Sequence, residues 1–168
     1  MISDKTSKQL SIDGVVKKKY FFKKGVKMLM RGLPKTYLSK PVVIDFYGTN
    51  TWAELAVLSK WSRLGYMGVW VDTFHKKLWT DKRRVFKANN LPSKIRDILE
   101  VNKKGCWDVI IWKGKEIKFI ETKGIPSNDR IRETQAIFLQ KMLLQGFKLS
   151  DFLIAEWDYR SEWVNFPG

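Results

Sequence analysis

The sequence predicts an α/β fold in which helices flank a mixed central β-sheet of four or five strands. Segments of alternating apolar residues, typical of strands, lie between segments whose apolar residues recur every three or four positions, as in helices. The chain has 168 residues, of which 44% are hydrophobic and eight are Trp. This length and this content favour one packed domain with a sizeable core.

The first 50 residues form a predicted basic N-terminal arm, and residues 51–168 form the predicted domain. The arm holds 11 Lys and Arg residues against three acids. Between Val15 and Leu33 no clean period exists, so one short helix or hairpin is expected, followed by a linker over residues 34–50 that ends in a short extended piece. Lysines here would contact nucleic-acid phosphates while an aromatic ring stacks on a base: Lys17, Lys18, Lys19, Lys23 and Lys24. A solubilising basic segment, held to the domain by its aromatic rings, is an equal alternative.

A helix is predicted from about Trp52 to Leu64, ending at Gly65. Its inner face has helical spacing: Ala53, Ala56, Val57, Trp61 and Leu64. Thr51 and Glu54 also have the spacing of a capping box, in which the glutamate bonds the amide of the cap residue.

A strand is predicted from Gly68 to His75. Asp72 within it would neighbour a site or, more commonly, pair with a lysine. The loop that follows interleaves basic and aromatic residues, so Lys82, Arg83 and Arg84 are a second predicted nucleic-acid contact; a solvated charge run is as good an account. A helix is then predicted from Ser93, with apolar positions at Ile95, Ile98 and Leu99.

A hairpin is predicted over residues 106–124, because two alternating segments flank the turn sequence KGKE. Alternation gives each segment one shared face: Asp108, Ile110 and Trp112, and then Phe119, Glu121 and Lys123. The hairpin would bring Asp108 back to Glu121 and Lys123. Two partly buried carboxylates at one spot cost free energy unless a cation joins them, so a hard divalent ion, Mg²⁺ or Mn²⁺, is expected there.

A turn at residues 126–129 and a helix to about Gln145 follow, with Gly146 as the stop. Gln135 is a polar residue in an apolar stripe, so it either bonds to the metal site or is a satisfied core glutamine. Arg130 and Arg132 would contact phosphate or simply begin the helix. The last predicted strand is DFLIAEW, residues 151–157.

The segments GCWDVIIW, FIETKG, DRIRETQAIFLQ and FLIAEW resemble the PD-(D/E)XK nuclease superfamily, and its VRR-NUC domain in particular. The resemblance spans about residues 50–157. It implies a restriction-endonuclease-like core, in which Asp108, Glu121 and the carbonyl of Thr122 bind Mg²⁺ or Mn²⁺. By the same resemblance Lys123 acts on the attacking water, and Glu54 and Gln135 belong to the active site. Trp107 stands where the family pattern has Pro.

The formal charge of +15 favours a polyanionic partner, most commonly nucleic acid. The chain has one Cys and one His, which excludes an internal disulfide and two-histidine catalysis and fits a cytoplasmic protein without a membrane span. The expected function is a metal-dependent DNA endonuclease. By resemblance it would cut branched or junction DNA, commonly as a homodimer. A non-catalytic nucleic-acid-binding domain and a structural basic protein are the alternatives.

Overall fold

The computed structural model describes residue 12 and residues 14–26, 35–102 and 104–160. Within these ranges the strands are β1 (Val16–Phe22), β2 (Val42–Ile44), β3 (Asn50–Trp52), β4 (Met67–Asp72), β5 (Lys77–Trp79), β6 (Val109–Lys113), β7 (Glu116–Gly124) and β8 (Phe152–Tyr159). Six of them form one mixed sheet in the order β1-β8-β7-β6-β4-β5, and β2 pairs with β3 separately. The described sheet therefore has six strands, where four or five were predicted.

The strand directions follow from the connections between the strands. β6 and β7 are an antiparallel hairpin, whose tight turn includes Gly114 at a φ of 60°. β7 and β8 are parallel, because a long crossover that includes a helix joins them. β1 pairs in parallel with β8 at the edge. A strand from within the predicted arm is thus part of the sheet.

The described helices are α1 (Lys35–Leu38), α2 (Ala53–Ser62), α3 (Ser93–Val101) and α4 (Glu133–Leu144). Two apolar clusters lie on the two faces of the sheet. One contains Leu55 and Leu58 of α2, and the other contains Ile95 of α3 and Phe138 of α4. The mixed α/β architecture with helices on both faces agrees with the prediction. No helix in the described ranges combines the length and apolar content needed to cross a membrane.

Several predicted elements match closely and others need correction. α3 begins at Ser93, as predicted, and Gly65 and Gly146 follow α2 and α4 with positive φ. Leu64, predicted to face inward, is 60% exposed, because α2 has ended at Ser62. The strand predicted to reach His75 ends at Asp72, where a turn containing Lys76 at a φ of 55° begins. The predicted linker contains α1, β2 and the first residue of β3.

Candidate active site

The functional side chains of the hairpin meet at the end of β7 and the start of β6. Glu121 and Lys123 are two residues apart and buried, with 1% and 6% exposure, and they share the sheet face of Phe119, as predicted. Asp108 precedes β6, whose first residue Val109 pairs with Ile120. The backbone amide of Asp108 donates a hydrogen bond to Oε1 of Glu121 at 3.0 Å. The two acids and the lysine are therefore neighbours.

The carboxylate of Asp108 is fixed by the strand beside it. Its Oδ2 accepts hydrogen bonds from the backbone amide of Thr122 at 3.0 Å and from the Thr122 hydroxyl at 2.7 Å. Thr122 follows Glu121, so these bonds lock the start of β6 to the end of β7. One carboxylate oxygen is used in this way, and Oδ1 accepts no hydrogen bond from the described residues.

Gln135 connects α4 to the same cluster. Its Oε1 accepts from Nζ of Lys123 at 3.0 Å and from the backbone amide of Arg132 at 2.9 Å. Its Nε2 donates to Oε2 of Glu121 at 2.5 Å, and Lys123 also pairs with Oε2 of Glu121 at 3.0 Å. Gln135 is thus a buried glutamine whose amide oxygen and nitrogen are both hydrogen-bonded, and its partners include residues of the predicted metal site. The two interpretations from the sequence, a core glutamine and a residue of the site, are therefore compatible.

Trp107, which stands where the resembling pattern has Pro, joins the hairpin to α4. The residue is fully buried, and its indole N–H donates to the backbone carbonyl of Gln135 at 2.9 Å. Because Trp107 is adjacent to Asp108, this bond fixes the first turn of α4 relative to the carboxylate.

Glu54, in the first turn of α2, lies on the other side of the cluster. Its Oε1 accepts from Nζ of Lys40 at 2.9 Å, while its Oε2 is buried without a hydrogen-bond partner among the described residues. The capping-box alternative is wrong. The N-cap residue is Trp52 and not Thr51, Glu54 bonds Lys40 and no described backbone amide, and the Thr51 hydroxyl is buried without a described partner. Glu54 is therefore turned toward the site.

Burial dominates the electrostatics of Asp108 and Glu121. Desolvation, with the nearby charge of Glu54, raises the pKa of Asp108 to about 6. Desolvation and then the charge of Asp108 raise the pKa of Glu121 well above its ordinary value. Burial alone would lower the pKa of Lys40, but its contact with Glu54 outweighs burial and raises it. The carboxylates are held close together at a cost that a cation would offset.

A cleft of about 280 Å³ opens onto this cluster. Asp108, Glu121, Lys123 and Glu54 all line it, and so do other polar residues of the surrounding loops: Lys40, Thr122, Ser127, Asp129 and Arg132. A neighbouring cleft shares Lys123 and Asp129 and extends to further residues: Lys17, Asn128, Arg130 and Glu156. The four acidic and basic residues predicted for catalysis thus face one solvent-connected space.

The predicted nucleic-acid contacts are distributed over several surfaces. Lys17, Arg130 and Arg132 line the two clefts of the site, whereas Lys18 and Lys19 line clefts elsewhere. Lys23 and Lys24 are exposed near the end of β1. Three residues belong to the turn after β5: Lys82 and Arg84 are exposed, and Arg83 donates to the backbone carbonyl of Asn50 at 2.9 Å.

Two arrangements were not predicted from the sequence. Lys40 is an isolated lysine before a proline, and no pattern indicated its pairing with Glu54. Asp72 pairs with none of the described lysines, contrary to the commoner expectation. It accepts hydrogen bonds from the Tyr37 hydroxyl and the Trp79 indole, and it pairs with His75 at 2.8 Å.

The donor set suits a hard divalent cation in one respect and not in another. The carboxylate oxygens and the unpartnered Oε2 of Glu54 are the ligands that Mg²⁺ and Mn²⁺ prefer. Among the described residues, however, no three His, Cys, Asp or Glu side chains are grouped closely enough to form a metal site. Lys40 and Lys123 lie against Glu54 and Glu121 and supply positive charge there instead.

No protein-family model, curated protein or solved structure matches the chain.

Proposed function

We propose that the chain is a Mg²⁺- or Mn²⁺-dependent endonuclease that hydrolyses phosphodiester bonds in DNA. The observation that carries the proposal is the convergence of Asp108, Glu121 and Lys123 in one cleft, with Glu54 facing them from α2. The proposal includes a restriction-endonuclease-like core of the VRR-NUC kind, by resemblance of the segments around these residues. We propose further that the substrate is branched or junction DNA, that the protein acts as a homodimer and that it is cytoplasmic.

In this proposal Asp108 and Glu121 hold the metal ion through carboxylate oxygens, and Thr122 does so through its carbonyl. When bound, the ion would supply a hydroxide at neutral pH and neutralise charge that develops on the phosphate. The unpartnered Oε2 of Glu54 supports this assignment, and so does the position of Asp108, whose pKa is raised by burial and by the nearby charge of Glu54. Carboxylates held together away from water are stabilised by a cation.

In the proposal, Lys123 and the side chains around it position the attacking water and the DNA. Lys123 is held by Gln135 and Glu121, each 3.0 Å from its Nζ, so its ammonium group has a fixed position beside the acids. There it would orient the attacking water and offset negative charge in the transition state. Gln135 is a positioning residue, because it acts through Lys123 and Glu121. Lys17 and Arg130 would hold the DNA phosphates on either side.

A non-catalytic nucleic-acid-binding domain on the same fold is the second candidate. Lys40 pairs with Glu54 at 2.9 Å and Lys123 pairs with Glu121 at 3.0 Å, so two of the acids already have cationic partners within the protein. In that case the cleft would be a structural polar network, and the charge of +15 alone would account for DNA binding.

Incubation with linear, flapped and four-way DNA, in Mg²⁺ and in EDTA, tests the proposal on one gel. Wild-type protein should cut at least one shape in Mg²⁺ and none in EDTA. Asp108→Asn and Lys123→Ala should each slow cleavage by roughly 100-fold or more, because each removes charge that the transition state needs. DNA affinity measured in EDTA should change little in either variant.

Matched controls separate a local effect from a general change of charge. Asp97→Asn on the exposed side of α3 and Lys115→Ala in the hairpin turn make the same charge changes at exposed positions, and both should cut like the wild type. Binding without metal-dependent cleavage in the wild type would favour the second candidate. Full cleavage by Asp108→Asn or Lys123→Ala would contradict the assigned roles.

A further inference from the structure

A second surface of the molecule combines cations with aromatic rings and lies between β1 and the last turn of α2. Two clefts, of about 220 and 490 Å³, share Lys18, Tyr20 and Lys60. Five cations line the pair: Lys18, Lys19, Lys60, Arg63 and Arg160. No described acidic residue lines either cleft. We call this the basic-aromatic surface; it is separate from the cleft of Asp108 and Glu121.

Two aromatic rings of the basic-aromatic surface, Phe21 and Phe46, are accessible, and contacts hold Phe46 and Trp61 in place. Phe21 and Phe46 are 54% and 39% exposed, and the guanidinium of Arg63 lies 3.4 Å from the ring centroid of Phe46. The indole N–H of Trp61 donates to the Tyr20 hydroxyl at 3.2 Å, which fixes the Trp61 ring. Lys18 lies over the rings of Tyr20 and Trp61, and Lys60 lies over that of Phe22. Exposed apolar rings grouped with cations in this way are typical of an interaction surface.

This combination is complementary to one class of polymer. A single-stranded nucleic acid presents phosphates to cations and the faces of unpaired bases to aromatic rings and guanidinium groups. A duplex offers phosphates but keeps its bases stacked, so it cannot use Phe46 or Trp61. A lipid surface also attracts lysines, but a flat layer of headgroups would not fill two clefts lined by aromatic rings.

The position of the surface connects it to the proposed active site. α2 carries Glu54 in its first turn and Lys60 near its end, which is a separation of about 9 Å along the helix axis at 1.5 Å per residue. On the edge strand β1, Lys17 lines the cleft beside Lys123, whereas the next residue, Lys18, lines the basic-aromatic surface. The two surfaces therefore share α2 and the edge strand β1, with Lys17 and Lys18 on opposite faces of that strand.

We propose that the basic-aromatic surface binds a single-stranded segment of DNA, with phosphates on Lys60 and Arg63 and a base against Phe46. The inference rests on the proposed nuclease function for the choice of DNA, and it names the substrate class: DNA in which a single-stranded segment flanks the cut. It assigns Lys60, Arg63 and Phe46, none of which belongs to the catalytic cluster.

Fluorescence anisotropy in EDTA, where no cleavage occurs, tests the inference with a labelled 20-nucleotide oligo(dT) and a 20-base-pair duplex. Lys60→Ala/Arg63→Ala, and separately Phe46→Ala, should each weaken oligo(dT) binding roughly tenfold. Phe46→Ala should leave duplex affinity within about twofold. The control Lys94→Ala/Lys141→Ala removes two cations from exposed positions on α3 and α4 and should bind oligo(dT) nearly as well as the wild type. Unchanged thermal melting shows that the variants fold.

Each other outcome overturns the inference. Oligo(dT) binding by Lys60→Ala/Arg63→Ala that equals the wild type would show that the surface takes no part. Equal loss of duplex and oligo(dT) binding in Phe46→Ala would show no preference for single strands. Binding to anionic phosphatidylserine vesicles without binding to oligo(dT) would assign the surface to lipid.

The failure of this inference is distinguishable from the failure of the nuclease proposal. A wild-type protein that cuts no DNA but loses oligo(dT) binding on the Phe46→Ala change would contradict the nuclease proposal and support the surface as a binding site. A protein that cuts DNA in Mg²⁺ but binds oligo(dT) equally well in all variants would contradict the surface alone.

Discussion

Asp108 is the residue whose environment is most informative. It is a carboxylate that keeps two hydrogen bonds from Thr122, yet burial and the charge of Glu54 still raise its pKa to about 6. Hydrogen bonds to a carboxylate normally lower its pKa. The remaining rise comes first from burial and then from the charge of Glu54, and a cation bound beside Asp108 would lower this pKa again.

The pH dependence of stability follows from this raised pKa. Folded protein takes up the Asp108 proton at a higher pH than unfolded protein does, so the contribution of Asp108 to the free energy of unfolding should increase as the pH falls from about 7 to 4. Asp108→Asn removes the buried charge, while its amide oxygen can still accept the bonds from Thr122. The variant should be more stable than the wild type at pH 7.5 in EDTA, by about 1 to 3 kcal/mol.

Urea unfolding of both proteins at pH 4.5 and pH 7.5 measures the difference. The advantage of Asp108→Asn should shrink at pH 4.5, where the wild-type carboxyl is protonated. Added Mg²⁺ should stabilise the wild type and not the variant. A gain in the free energy of unfolding that is equal at both pH values, or absent at both, would show that the charge of Asp108 does not destabilise the folded state.

At the scale of elements, the site depends on how α4 docks on the hairpin. Trp107→Phe keeps a buried ring but removes the hydrogen bond to the carbonyl of Gln135. We expect a loss of about 1 to 3 kcal/mol, since a buried carbonyl is left without this donor. Cleavage should fall as well, because Gln135 would no longer hold Lys123 in a fixed position.

Trp112→Phe is the matched control for this change. Trp112 is half-buried on the same hairpin, and its indole N–H makes no hydrogen bond with the described residues. Urea unfolding of the two variants should show a clearly larger loss for Trp107→Phe. Equal losses would mean that ring size, and not the bond to α4, determines the stability of this junction.

Local patterns predicted some elements well, and they could not predict others. The periodic spacing of Ile95 and Ile98 located α3, and alternation placed Glu121 and Lys123 on one face. The edge strand β1 carries three successive exposed lysines, so it lacks the alternation of apolar and polar residues that predicts a strand. Its partner β8 is also distant in sequence. The pairing of Lys40 with Glu54 likewise depends on tertiary contact, which no local spacing records.

At the scale of the whole molecule, the positive charge is divided between functional surfaces. Lys17 of β1 lines the cleft that contains Lys123, whereas Lys18 and Lys19 line the basic-aromatic surface. The sequence predicted these lysines as one nucleic-acid contact, because a strand's two faces cannot be distinguished when every residue is polar. The fold separates them into two surfaces, and under the proposed function a substrate that reaches both would pass the edge strand β1.

The central claim is that Asp108 and Glu121 hold a divalent cation beside Lys123. A crystal soaked in Mn²⁺ and measured for anomalous scattering tests it most directly. We expect one strong peak within about 2.0 to 2.4 Å of carboxylate oxygens of both Asp108 and Glu121, accompanied by displacement of a lysine from its present pairing. A well-ordered site without a peak, or peaks at exposed carboxylates alone, would contradict the claim.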